Sequence, residues 1–258
     1  MRSRAGGRAA LAGGRVTLAL AALAALALAL GGCESTQEES ARLEAASKRE
    51  KALHPALAAK GLSIAHRSTR ARVLEAVALH GSEGAAVAVT VRNDTSTPLR
   101  AVPIAITLRS AAGKTVYQND APGLEPSLTR ISALAPHGSL TWVDDQIPAG
   151  EAPASVSAEL GEASPEGGGP EPQIEVSGVH IAEAATGEAS GTVRNRSGVA
   201  QQHLVVYVAA RRGTQVVAAG RAVLPEVGAG ASVPFQVFLV GSTAGARLQA
   251  SAPATTLG

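Results

Sequence analysis

From Gly61 onward the hydrophobic positions alternate. "AAVAVTVRN", starting at Ala85, puts Val87, Val89 and Val91 on one side of an extended backbone and Ala88, Thr90 and Arg92 on the other. "VPIAITLR" does the same with Val102, Ile104, Ile106 and Leu108. Apolar residues two apart, in short runs bounded by Gly, Pro, Asn, Asp and Ser, predict strands with one face in a core. Residues 73–79, 115–117, 128–134, 140–143 and 156–160 read the same way. Beyond them, "GEASPEGGGPEPQ" at 161–173 has no apolar period and concentrates Gly, Pro and Glu, which marks a linker that lets its neighbours reorient. Alternation then resumes at 174–181, 189–195, 204–211, 214–224, 232–240 and 247–252.

About seven short strands over residues 61–160 match the size and strand number of an immunoglobulin-like sandwich, and 174–258 offers about six more. The two sets also align with each other. Thr90-Val91-Arg92-Asn93 meets Thr192-Val193-Arg194-Asn195 at an offset of 102, which carries Val102, Ile104 and Ile106 onto Leu204, Val206 and Val208, and Arg109 onto Arg211. At the next turn Gly113 stands opposite Gly213, an offset of 100. "LAPHGSLTW" from Leu134 meets "VGAGASVPF" from Val227 at an offset of 93, pairing Trp142 with Phe235. Losses confined to turns are what a duplicated module with shortened loops produces. The expectation is an all-β chain with two Ig-like sandwiches in tandem, one over 61–160 and one over 174–258.

The first sixty residues have another texture. Arg2, Arg4, Arg8 and Arg15 precede the uncharged run "VTLALAALAALALAL" from Val16 to Leu30, which is followed by "GGC". A basic start, a short apolar run and small residues before a cleavage point make a secretory signal peptide over 1–32, the run being short of the roughly 20 residues a spanning helix needs. "LGGC", Leu30 to Cys33, resembles the lipobox of bacterial lipoproteins. The resemblance implies a diacylglyceryl thioether on Cys33, cleavage before it, and attachment to the membrane on its extracytoplasmic side. Glu34, not Asp, follows Cys33, so the familiar inner-membrane retention signal is not evident. Residues 34–60 carry Glu38 with Arg42 and Glu44 with Lys48 at helical spacing and few apolar positions, which predicts a solvated helical stalk interrupted near Pro55. A Val-rich strand ending in Asn, a Ser/Thr turn and a second apolar strand, as at 85–108 and 189–208, is similar to the small Ig-like modules of bacterial envelope lipoproteins. That resemblance implies fold and not activity.

Processing changes the charge. The chain carries 23 basic and 21 acidic residues, and removal of 1–32 takes four arginines and no acid, leaving a net −2. No basic patch interleaved with aromatics remains, so nucleic acid is not an expected partner. Cys33 is the only cysteine, which leaves the body of the protein without disulfide or thiol chemistry.

Candidate chemistry is sparse. His54, His66, His80, His137, His180 and His203 show no pair at metal-ligand spacing, and surface or turn roles are expected for them. No nucleophile elbow and no phosphate loop is present. "WVDDQ" puts Asp144 and Asp145 on opposite faces of a strand, where they cannot share a proton. In a loop the pair would be potential calcium ligands, but no calcium-loop pattern accompanies them, and a solvated strand end is the expectation. Trp142 and Phe235 are expected in the two cores. Tyr207 falls opposite the core face of its strand and is the best candidate for an exposed aromatic in a binding face. Pro103 lacks an N–H, which argues for an edge strand or a bulge. Asn93 and Asn195 each begin an Asn-x-Ser/Thr triplet, but in a bacterium they read as Asx-turns, one strand-to-turn corner used twice.

The function these residues imply is a non-enzymatic envelope lipoprotein, anchored through Cys33, that presents two Ig-like modules to an unidentified envelope protein or cell-wall partner. No cofactor, metal or catalytic residue is expected. The alternatives are a cell-wall or glycan hydrolase, which would need loops to bring His137 to Asp144 or Asp145, and a solute-binding component, which would need far more helix.

Overall fold

A computed structural model describes residues 61–81, 84–148, 150–164 and 171–256. The signal segment, Cys33 and the stalk at 33–60 lie outside the described residues, as does the glycine run Gly167–Gly169 of the linker. Every strand expected from alternation is present. The first half holds β1 (Ala71–Gly81), β2 (Gly84–Asn93), β3 (Leu99–Arg109), β4 (Thr115–Gln118), the single-turn helix α1 (Pro126–Thr129), β5 (Arg130–Leu134), β6 (Ser139–Ile147) and β7 (Ser155–Leu160). The second holds β8 (Ile174–Glu183), β9 (Glu188–Asn195), β10 (Gln201–Arg212), β11 (Gln215–Val227), β12 (Ser232–Phe238), β13 (Val240–Gly241) and β14 (Arg247–Ser251).

All pairings are antiparallel. In the first half, β1-β2-β6 form one sheet, and β3 carries β4 and β5 on one edge and β7 on the other. In the second half, β8-β9-β12 form one sheet and β13-β11-β10-β14 the other. Strand for strand the halves correspond, with the long β11 standing where β4 and β5 stand. Between β4 and β5 the ladder is completed by a side chain. Asn119 accepts from the Ile106 N–H at 2.8 Å and donates to the Ile104 and Leu128 carbonyls at 2.8 and 2.7 Å. Leu128 and Thr129, expected as the start of a strand, belong instead to α1, because Pro126 suits a first helical turn and the turn buries Leu128.

The alternation sorts side chains as predicted. Val87, Val89 and Val91 meet Val102, Ile104, Ile106 and Leu108 across the first sandwich, with Trp142 fully buried among them. Val193, Leu204, Val206, Val208, Phe235 and Val237 fill the second. The bulky Trp142 lies opposite Val89, whereas Phe235 lies opposite Gly191, so each cross-strand pair fills its layer by a different division of volume. Pro103 is not on an edge strand: β3 has neighbours on both sides, and the missing N–H falls where β7 gives out at the Gly161 bridge. Two residues earlier Ala101 has φ 46°, and His203, at the equivalent point of β10, has φ 49°. Both are passed over in the ladder.

The linker does not separate the halves. The described residues from Gly61 onward fall in one compact unit. Val205, Tyr207, Ala209, Val216 and Ala219 of the second half belong to the same buried cluster as the first core. They lie on the outward face of β10 and β11 and cover the outward face of β1-β2-β6, where Ala86, Ala88 and Val143 are buried in turn. The expectation of modules reorienting about a flexible linker is corrected on this point, because alternation reveals that a strand has a second face but not what covers it.

Candidate functional site

The polar residues singled out in the sequence converge where the two sandwiches meet. β6 sends Asp144 inward and Asp145 outward, as the strand period requires. Asp144 is fully buried, accepting from the Tyr117 hydroxyl at 2.8 Å and from the Gln146 N–H at 3.0 Å. Asp145 reaches β11 of the second sandwich, where the Arg221 N–H donates to it at 2.8 Å and the Arg221 Nε at 3.3 Å. The same guanidinium donates through Nη1 to Ser127 Oγ at 2.7 Å and stands 3.6 Å from Glu125. Trp142 Nε1 donates to the Ser127 carbonyl at 2.9 Å, tying α1 into the cluster. Tyr207, the cross-strand neighbour of Arg221, is 3% exposed. Both tyrosines and the one tryptophan of the chain thus lie around one arginine and two aspartates.

Two expectations are corrected here. Tyr207 is not an exposed aromatic, because the first sandwich covers its face. Asp144 and Asp145 are not a solvated strand end, because Tyr117 closes over one and Arg221 over the other.

A second arginine pins the other end of the joint. Arg211 is paired with Glu75 of β1 at 3.0 Å and donates to Thr90 Oγ1 at 2.7 Å, while Glu75 also accepts from the Val216 N–H at 3.2 Å. Thr90 and Thr141 share a hydroxyl–hydroxyl bond at 3.0 Å beneath it. Neither Arg221 nor Glu75 stands out in the sequence. The available signal for Arg221 was a lone arginine within "VVAAGRAVL", where alternation predicts a buried strand.

Burial governs the titration of this cluster. It pushes the Asp144 carboxyl above its ordinary value, against the opposing hydrogen bonds from Tyr117 and Gln146. Asp145 is also raised by burial, against the Arg221 contacts. The Tyr117 hydroxyl is pushed up first by burial and then by the Asp144 charge, and Tyr207 is raised mainly by burial. The arrangement is suited to fixing two surfaces in register. His66, His80, His137, His180 and His203 are all exposed, and no group of three His, Cys, Asp or Glu assembles as a metal site among the described residues.

The repeated Asn corner is the other polar feature. Asn93 Nδ2 donates to the Thr97, Leu134 and Ala135 carbonyls at 2.7, 3.2 and 3.1 Å, and its Oδ1 accepts from the Thr95 N–H and hydroxyl at 2.9 and 2.7 Å. Asn195 repeats this with the Val199, Val227 and Gly228 carbonyls at 2.8, 3.1 and 3.1 Å and with the Ser197 N–H and hydroxyl at 3.0 and 2.7 Å. The partners obey the offsets read from the sequence, 102 for the turn and 93 for the distant strand. Both side chains are fully buried, so neither amide nitrogen is open to a sugar.

Grooves on the described surface include the following two. One of about 520 Å³ runs along the seam of β1 and β7, lined by Arg67, Arg72, Val73, Thr107, Ser157 and Glu159. Its charges are already matched: Arg67 pairs with Glu159 at 2.7 Å, and Arg72 with Asp94 at 3.3 Å. A smaller one, about 270 Å³, lies between the β5–β6 turn and the β8 and β14 strands.

No family model matches the chain. No curated protein sequence matches it either. Among solved structures the chain is similar to the crystal structure of red sea bream transglutaminase, at 14% identity and a TM-score of 0.23, over 73% of this chain and 29% of that one. The chain thus spans less than a third of the length of that protein.

Proposed function

We propose that this protein is a bacterial envelope lipoprotein, anchored through Cys33, that holds its pair of Ig-like sandwiches outside the membrane for protein binding or scaffolding and performs no catalysis itself. The observation that carries this reading is the placement of the chain's one cysteine. Cys33 closes the sequence Leu30-Gly31-Gly32-Cys33 directly after a basic start and a fifteen-residue apolar run. Two or three acyl chains there would anchor the protein stably, each buried CH₂ contributing about 0.8 kcal/mol. The polar groups of the fold support the second half of the reading. The aspartates, tyrosines and arginines that a reaction would need to share are instead engaged in holding sheets and turns together. The remaining faces and strand edges of the sandwiches are the surfaces available to a partner.

The direct test is metabolic labelling with a fatty-acid probe in the native cell. The natural chain should incorporate it and Cys33→Ser should not; label persisting on Cys33→Ser contradicts the anchor. Cross-linking on intact cells, followed by identification of what is joined to the chain, tests the binding role. Capture of a defined envelope protein or of cell-wall material supports it. A chain that cross-links to nothing across all accessible lysines contradicts it.

A further inference from the structure

The two halves match at their inward positions and differ at the outward positions that meet. Along β3 and β10 the inward residues correspond in kind: Val102, Ile104 and Ile106 against Leu204, Val206 and Val208. Between them, at the same offset, β3 has Pro103, Ala105 and Thr107 where β10 has Val205, Tyr207 and Ala209. The opposite change occurs in the other sheet. β2 carries Ala86 and Ala88, and β9 carries Glu188 and Ser190 in their places. The apolar version stands in each case on the face that is covered. The free side of β8-β9-β12 is mixed: Glu175, His180, Thr192, Arg194 and Gln236 line it, with Phe238, 63% exposed, at its end opposite Glu188. In a duplicated module, polar outer faces end the array and an apolar inner face joins its members.

Polar contacts single out one register for this joint. Arg211 reaches across to Glu75 and Thr90, whereas Arg109, its counterpart, donates only to Gly113 and Thr115 within its own hairpin. Arg221 enters from β11 to meet Asp145, with its side chain 2% exposed. An interface with buried aromatic and aliphatic anchors at its centre and matched charges beside them has the anatomy of a specific protein–protein contact.

We propose that these two faces form an autonomous docking interface, which holds the second sandwich to the first without help from the linker at 161–173. The inference does not depend on the lipid anchor. It makes the pair one rigid ligand-presenting body and leaves the linker as a tether. Any partner must then use the free faces, the grooves or the outer strand edges.

The test replaces Gly167–Gly169 by a protease site in the mature chain and cuts it. The two fragments should co-elute as a particle of the uncut mass at low micromolar concentration and should keep the fluorescence of Trp142, the chain's one tryptophan. Fragments that elute separately, each with a β-sheet circular-dichroism spectrum, would overturn the proposal. Tyr207→Ser in the cut protein should make the halves separate, and undiminished association would show that the contact lies elsewhere. Glu75→Gln is the milder check, as it leaves the apolar anchors in place and removes the Arg211 ion pair. It should weaken association of the cut halves about tenfold or more; unchanged affinity would contradict the keyed register.

Discussion

Asn93 and Asn195 are each buried and make five hydrogen bonds. Each amide uses both its donors and its acceptor to tie the end of one sheet to the turn after it and to a strand of the other sheet. Truncation removes the amide donor from the buried Leu134 or Val227 carbonyl and from two partly buried ones, and each orphaned buried group costs about 1–3 kcal/mol. Asn93→Ala and Asn195→Ala should therefore each lower unfolding stability by about 1–3 kcal/mol in urea titrations. Asn→Asp, though nearly isosteric, should be as damaging, because it turns a carboxylate toward three carbonyl oxygens. A cost below about 1 kcal/mol would show that the corner is filled and not built. The Asx-turn was legible in the sequence, since Asn with a hydroxyl two residues on is a local pattern. The strand that completes the corner lies forty residues away in one half and thirty in the other, beyond any local pattern.

Asp144 gives the molecule a pH dependence of definite sign. Its folded pKa lies above the ordinary carboxylate value because the site is buried. The folded state then binds its proton more tightly than the unfolded chain does. Stability must fall as pH rises from about 4, the ordinary carboxylate range, through the raised value, and be flat above it. Asp145 shifts in the same direction. Asp144→Asn keeps an acceptor for the Gln146 N–H and removes the titration. Its stability should depend less on pH across that window, as measured by thermal unfolding at a series of pH values. An unchanged slope would place the dependence elsewhere.

Among the strands, the pairing of β9 with β12 differs most from its counterpart. A Cβ placed on Gly191 would come within 2.7 Å of the Phe235 ring, so the ring rests on the bare backbone of the neighbouring strand. In the first sandwich Val89 and Trp142 fill the same pair of positions. Gly191→Ala should overpack the second core and cost about 1–3 kcal/mol, and Phe235→Leu should recover part of that loss in the double variant. Additive losses in unfolding measurements would mean that ring and glycine do not interact. Alternation located the longer strands, because one face of each is buried in its own sandwich, but it ran β12 and the short β13, which belong to different sheets, into one strand over 232–240. It did not identify α1, where a proline and one buried leucine outweigh the β pattern. Nor did it explain Asn119, whose side chain replaces a strand pair.

For the whole molecule, what the alternation left unread was the second face of β10 and β11. A tyrosine opposite a core face reads as exposed when one sandwich is considered alone, and aspartates at a strand end read as solvated. The packing of one sandwich on the other reverses both readings at once, since it buries Tyr207 and brings Arg221 to Asp145. The contrast at equivalent positions, Tyr207 against Ala105 and Ala88 against Ser190, was nonetheless in the sequence, and it becomes informative once the repeat offset is applied to the outward residues. Truncating Tyr207 should remove its large buried area from the joint and cost about 3–5 kcal/mol of global stability if the sandwiches unfold together. Two separate unfolding transitions in the natural chain would contradict that coupling.

Sandwiches held as one body through the Tyr207, Arg211 and Arg221 contacts must tumble together, and backbone ¹⁵N relaxation on the mature chain reads this. Amides of Ala71–Gly81, Gly84–Asn93 and Ser139–Ile147 in the first half, and of Gln201–Arg212 and Gln215–Val227 in the second, should report a single rotational correlation time with one diffusion tensor. Two distinct correlation times, each fitting a single sandwich, would contradict it.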